Sequence, residues 1–326
     1  MPRLQLTPPL INSACPWATT LEDLTALYYC PHTGAVTTRT SLLRPFPHSS
    51  HIHQHHIAAS SHNTYGYSPH PLEYYLTSIR TLLASSGAAQ QKPFIISITG
   101  TAAEIAEGVN QITELVAGGV KCWIELNLSC PNIPGAPPPA YDAAALKEYI
   151  ALLPETTVPM GVKVPPYTYE AQFAGLVETL RTRKQGWAFV TAVNTLGGCL
   201  LLDSPPSLGV GERRVWQPRL SSADGTGIGG MGGEGLHTLA LGNVARLRWL
   251  LDEGGLEETI VIGVGGVEDA EGMERMLAVG AEVVGCATAL GREGVSVFGM
   301  ILKCPEDEDS DEIVEVTKMG VTMPPV

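Results

Sequence analysis

IELNLSCPNIPG, residues 124–135, starts as a strand and ends as a polar loop. Ile124, Leu126 and Leu128 alternate with Glu125 and Asn127 until the chain meets Pro131, which has no N–H to give a sheet ladder. Cys130 and two asparagines, Asn127 and Asn132, stand at that exit, and a helical pattern follows over Tyr141–Leu153. The same unit recurs along the chain: a short apolar strand, a polar or glycine-rich exit, then a helix. The expected strands are Leu10–Cys15, Gly34–Arg39, Phe94–Thr99, Cys122–Leu128, Met160–Val164, Trp187–Asn194, Thr259–Val264 and Glu282–Ala287. The expected helices are Leu21–Tyr29, Pro71–Ser85, Ala102–Ala117, Tyr141–Leu153, Glu170–Arg183, His237–Leu251, Glu268–Val279 and Val295–Leu302. Eight such units predict an α/β fold of the (β/α)8 TIM-barrel type, with its chemistry at the C-terminal ends of the strands. An open doubly wound sheet is the alternative, because alternation alone does not prove closure.

Composition agrees with one such domain over residues 1–326. The chain has 44 % hydrophobic residues, and its 35 glycines and 25 prolines are spread as loop punctuation. The net charge of −13 argues against nucleic acid as a partner. Much of that charge sits in residues 306–312, inside a C-terminal segment of about 304–326 expected to lie outside the barrel as a solvated tail. No stretch is long and apolar enough for a membrane span, and the first residues lack the apolar core of a secretory signal. Seven cysteines without framework spacing indicate free thiols, and a cytoplasmic setting is expected.

Polar or glycine residues close most of the strands, at Asn12–Cys15, Thr38–Thr40, Asn127–Asn132, Lys163–Tyr167, Asn194–Thr195, Gly263–Gly266 and Ala287–Thr288. Gly265 and Gly266 let backbone N–H groups approach an anion, and a helix starting near Val267 would add its positive end. Paired with Thr288 one strand later, they form the usual barrel phosphate site; a plain tight turn is the bland alternative. GTGIGGMGG, residues 225–233, would line the same phosphate or act as a flexible lid. Lys163 lies within a buried-type strand, where an unpaired ammonium is costly. It faces an anionic ligand or reaches water from the strand end. On its own residues Cys130 is either a catalytic thiol or a small buried filler. The run HSSHIHQHH, residues 48–56, reads as a solvated, mobile loop, with His53 and His56 as candidate metal ligands in the alternative.

Together these motifs resemble dihydroorotate dehydrogenase, in its soluble, fumarate-using class 1A branch, from about Leu10 to Leu302. ELNLSCPNIPG followed by AYD is the most specific match. GVKVPPY, VNTLGG, GIGG with LALGNVARL, IGVGGV and GCATALGREG follow in register, while NSA (12–14) and HNTYGY (62–67) match more loosely. The resemblance implies a homodimeric FMN enzyme that oxidises dihydroorotate to orotate and returns the electrons to fumarate. It makes Cys130 the base. It assigns Asn63, Tyr65, Gly66, Tyr67, Asn127, Asn132, Asn194 and Thr195 to the substrate. It assigns Ser13, Ala14, Arg39, Asn127, Lys163, Gly229, Gly265, Gly266, Ala287 and Thr288 to the cofactor. No metal is implied. Several positions depart from the family pattern. Arg39 replaces a lysine, Ala136 replaces a loop lysine, and Thr195 replaces a serine. Tyr65 and Tyr67 add bulk to the substrate segment. Two alternatives accompany this reading: an FMN enzyme of the same fold acting on another activated C–C bond, and a non-catalytic relative that binds a partner through its acidic segment.

Overall fold

The structure is a computed structural model that describes residues 4–86, 92–133, 135, 137–204 and 215–303. The acidic segment and Ala136 therefore lie outside the described residues. Eight parallel strands form one sheet: β1 (Leu10–Asn12), β2 (Val36–Thr37), β3 (Phe94–Ile98), β4 (Cys122–Asn127), β5 (Met160–Val164), β6 (Phe189–Ala192), β7 (Ile260–Val264) and β8 (Val283–Cys286). Each strand from β2 to β7 is followed in the sheet by its successor, and β8 lies beside β1. An Ile11–Ala35 bridge, with Gly34 N–H donating to Leu10 O at 2.9 Å, joins β1 to β2 and closes the ring. Closure rules out the open doubly wound sheet.

The helices α1 (Leu21–Tyr29), α2 (Leu72–Ser86), α3 (Ala102–Ala117), α4 (Ala143–Ala151), α5 (Glu170–Leu180), α6 (His237–Glu253), α7 (Ala270–Ala278) and α8 (Thr288–Glu293) alternate with the strands. The local chemistry of α3 shows how a unit is built. Thr101 and Glu104 form a reciprocal capping box at its start. Ile105, Val109, Ile112 and Leu115 then fall on one face and are buried against the sheet. Each fully buried aliphatic side chain of this kind contributes about 1.5–3 kcal/mol. Inside the ring, Ile11, Ala35, Ile95, Phe189, Ile260, Ile262 and Val283 fill the lower layers. Gly161 is needed there, because a Cβ would meet the Phe189 ring at 2.2 Å. The barrel interior is thus packed at its base and turns polar toward the exits of the strands.

Several expectations need correction. The histidine run is not wholly a solvated loop. Strand His55–Ile57 pairs antiparallel with Ser60–Asn63, and His53 is buried. The glycine-rich stretch after β6 is not a plain loop either. Its strands Leu196–Leu200 and Ile228–Gly233 join that hairpin in a four-stranded antiparallel sheet. A segment covering a barrel mouth must satisfy its own backbone, and mutual pairing does so. Histidine and glycine carry little strand propensity, so the pattern was silent. After β8 the chain enters α8 at once, followed by a 3-10 turn (Gly294–Ser296) and a last short helix over Val297–Ile301. No helix among the described residues is long and apolar enough to cross a membrane.

Candidate active site

Cavities at the C-terminal ends of the strands gather nearly every residue singled out above. The larger encloses about 770 Å³ and is bordered by Cys130 and by all eight substrate candidates: Asn63, Tyr65, Gly66, Tyr67, Asn127, Asn132, Asn194 and Thr195. A second, of about 480 Å³, is bordered by Ser13, Lys163, Gly265 and Gly266. Ala14, Asn194, Thr195, Ala287 and Thr288 border both, so the two form one trench. Arg39 and Asn127, expected at the cofactor, border the larger cavity.

Gly229 is the exception. It borders neither part of the trench but a separate surface hollow with Thr64, Asn132 and Asp224. Its missing Cβ serves strand packing, since one would meet Asn63 O at 2.2 Å. Gly232 and Gly233 take the place at the groove instead. Strand residues alternate between faces, so a short offset in register changes which glycine faces the groove.

The larger cavity is lined chiefly by side chains. The exit of β4 supplies Asn127, Cys130 and Asn132, and the mouth hairpin and its following turn supply Asn63 to Tyr67. Asn132 Nδ2 donates to Asn63 Oδ1 at 2.9 Å and to Tyr65 O at 2.8 Å, which ties the loop to the hairpin. Asn132 Oδ1 is buried and has no partner, a state that costs about 1–3 kcal/mol unless a ligand donates to it. Arg39 is 7 % exposed and donates to Thr19 Oγ1 at 3.3 Å and to Tyr67 O at 3.2 Å, but pairs with no carboxylate among the described residues. Its guanidinium lies over the Tyr65 ring at 5.2 Å from the centroid.

The Cys130 thiol is pushed up to about 11, chiefly by burial. The Asn132 backbone N–H and the charges of Lys163 and Arg39 act in the opposite direction. Cys15 borders the same cavity, and burial pushes it further, to about 12. Sequence reading placed Cys15 and Thr40 at strand exits without a site role, and gave none to Trp17 and His55, yet all four border the larger cavity. His55 Nδ1 lies 2.8 Å from the Tyr65 hydroxyl, inside the run read as mobile.

The smaller groove is bordered by four glycines, Gly232, Gly233, Gly265 and Gly266, beside Lys163. Lys163 is 3 % exposed, and its Nζ donates to Ser13 Oγ at 2.9 Å, with no carboxylate partner among the described residues. Gly265 and Gly266 adopt φ +138° and +69°, and Gly233 adopts φ +76°. A Cβ on Gly266 would meet Gly233 O at 2.7 Å. Thr288 Oγ1 lies 2.8 Å from Ser61 Oγ and fastens the end of β8 to the hairpin. The helix expected to start near Val267 starts at Ala270, and its Gly272 N–H is already taken by the Asp269 carboxylate at 2.7 Å. An anion here would rely on the glycine backbones and Thr288. One carboxylate, Glu268, borders the groove, and Arg292 holds it at 3.0 Å. A buried ammonium lacking a counter-ion, a glycine cradle and a connected flat trench fit a phosphate-tailed planar ligand such as FMN.

Comparisons with known proteins agree with this arrangement. Residues 2–304 match the family model described as Dihydroorotate dehydrogenase. The chain is 31 % identical over 299 residues to dihydroorotate dehydrogenase A (fumarate) of Lactococcus lactis subsp. lactis, covering 90 % of this chain and 88 % of that protein. It is 30 % identical over 315 residues to dihydroorotate dehydrogenase (fumarate) of Trypanosoma cruzi, covering 94 % and 89 %. The ligand-free Eimeria tenella dihydroorotate dehydrogenase crystal structure superposes with a TM-score of 0.66 at 15 % identity, over 90 % of this chain and 82 % of that one, which speaks for the fold alone. The chain belongs to the dihydroorotate dehydrogenase family, as a divergent member of its class 1A branch.

Proposed function

We propose that the chain oxidises (S)-dihydroorotate to orotate with bound FMN, in pyrimidine biosynthesis, and that fumarate takes the electrons. The observation that carries this reading is the set of amide side chains, Asn63, Asn127, Asn132 and Asn194, that borders one cavity with Cys130, next to the Lys163 groove. Amides both donate and accept, which suits the carbonyl and N–H groups of a cyclic imide.

Lys163, Ser13 and Ala14 would lie against the flavin ring, and Gly232, Gly233, Gly265, Gly266, Ala287 and Thr288 would hold its phosphate. Bound FMN supplies the acceptor for the hydride leaving C6. Cys130, as thiolate, takes the C5 proton, which completes the loss of two electrons and two protons from dihydroorotate. Arg39 supplies a cation for the substrate carboxylate, and Asn63, Asn127, Asn132 and Asn194 orient the ring. Fumarate, returning by the same cavity, would leave as succinate.

A homodimer in the cytoplasm completes the reading. Leu200, Leu202, Trp216 and Ile228 give it an exposed apolar surface to cover. A second reading keeps FMN and changes the substrate. It is favoured by the Arg39–Tyr65 stack at 5.2 Å, which stands where the family has a lysine.

Anaerobic mixing with dihydroorotate, dihydrouracil or NADH tests both. The purified protein is expected to be yellow and to bleach with dihydroorotate alone. Bleaching by another donor and not by dihydroorotate selects the second reading, and a colourless protein that takes up no FMN sinks both.

A further inference from the structure

Beneath the larger cavity lies a buried carboxylate to which the proposed reaction gives no role. Glu125 on β4 is 2 % exposed. Its Oε1 accepts from Ser97 Oγ at 2.8 Å, and its Oε2 from Thr191 Oγ1 at 2.8 Å. Both oxygens are held by hydroxyls rather than by a cation. From Ser97 the contacts continue upward. Ser97 Oγ lies 2.9 Å from Thr40 Oγ1, and Thr40 Oγ1 accepts from Asn127 Nδ2 at 2.8 Å. Asn127 borders the cavity and, with Ser97 and Thr40, is buried.

Counting hydrogens gives this chain a direction. A hydroxyl has one hydrogen, and Ser97 Oγ gives its own to Glu125 Oε1. Taken alone, the Thr40–Ser97 contact has no defined donor, but Ser97 has nothing left to donate. Thr40 must donate to Ser97, and its oxygen is then free to accept from Asn127. The bonds run one way, from the Asn127 amide through Thr40 and Ser97 to the carboxylate. Oxygen and nitrogen of an amide look alike in shape, and this polarity agrees with the Ser129 backbone N–H, which can only donate and reaches Asn127 Oδ1 at 3.3 Å. That Oδ1 is also turned to Ser129 Oγ at 3.0 Å and to Asn194 Nδ2 at 3.2 Å. What Asn127 has left for the cavity is its second Nδ2 hydrogen.

We propose that Glu125 is a positioning residue: as the acceptor that ends the Ser97–Thr40–Asn127 chain, it holds the Asn127 amide as a donor toward the ligand. The atom recognised is an acceptor, a ring carbonyl or carboxylate oxygen. Low polarity around the chain strengthens each bond in it. The inference rests on the dihydroorotate reading and assigns the support of one of its binding groups.

The test is orotate binding by calorimetry on the FMN-loaded protein, with melting temperature and flavin content measured alongside. Glu125→Gln keeps the shape but can donate as well as accept, so the direction is no longer imposed. Ser97→Ala cuts the chain one step above, and carries the test alone if Glu125→Gln does not fold. Each single variant is expected to weaken orotate about tenfold, the effect of about one hydrogen bond. The double variant is expected to bind no more weakly than either single one, because both remove the same function. Unchanged orotate affinity in folded variants, or additive losses in the double variant, overturns the inference and leaves Glu125 a structural group. Wild-type protein that binds no orotate overturns the dihydroorotate reading, and this inference falls with it.

Discussion

The two ends of the trench are built from different materials. The groove beside Lys163 presents backbone at four glycines near strand ends, Gly232, Gly233, Gly265 and Gly266. The cavity around Cys130 is made of side chains, many carried by a hairpin and its following turn added over the barrel mouth. Backbone recognition depends on conformation and survives changes in neighbouring side chains. Side-chain recognition changes with each substitution. Among the described residues, the departures Arg39, Tyr65 and Tyr67 border the second kind of wall alone, and Thr195 borders both. A divergent sequence can therefore keep its cofactor end while its substrate end drifts.

That contrast can be broken by variants confined to one end. The largest effect is expected from Cys130→Ala. It should slow anaerobic bleaching by dihydroorotate by about a hundredfold to ten-thousandfold, the usual range for a lost general base, while flavin content stays at the wild-type level. Bleaching at the wild-type rate would remove Cys130 from the mechanism.

Next comes pH. The proposed base is the Cys130 thiolate, and burial pushes the thiol up to about 11. The thiolate fraction rises as pH rises toward that value, so the bleaching rate at subsaturating dihydroorotate should climb by about tenfold per pH unit between pH 7 and 9. A flat profile over that window would mean that another group, or another step, limits the rate.

The smallest of the three tests the groove. Gly266→Ala forces φ +69° on a residue with a side chain, and its Cβ would meet Gly233 O at 2.7 Å. Strain of about 1–2 kcal/mol should weaken FMN retention by about tenfold, measured by fluorescence on dilution, with the rate per bound flavin unchanged. Loss of rate without loss of flavin would blur the division between the two ends.

The strands were legible because they are buried on two faces and read as apolar runs, whereas closure was not, since the same alternation fits an open sheet. Helices α1 and α3 match their expected spans, and each opens on a capping box. Lys163 was legible as a charge in an apolar strand. Glu125, two residues before Asn127, carries the same signal, yet the motif around Cys130 drew attention to the loop instead. The mouth sheet was illegible for a physical reason. Histidines and glycines form strands there because backbone groups must pair across the opening, a demand that only the closed barrel creates. Gly229 was misplaced by the same ignorance of register.

The roof over the cavity has a further consequence, for the order in which the molecule is made. Asn63 Nδ2 donates to Gly230 O across 167 residues of chain. A growing polypeptide that has finished its first five strands still lacks Asn194, Thr195, Ala287 and Thr288, which border the Cys130 cavity. Contacts so distant in sequence are slow to form. Synthesis thus supplies the whole border of that cavity only once the end of β8 has emerged, when nearly all of the barrel has been made.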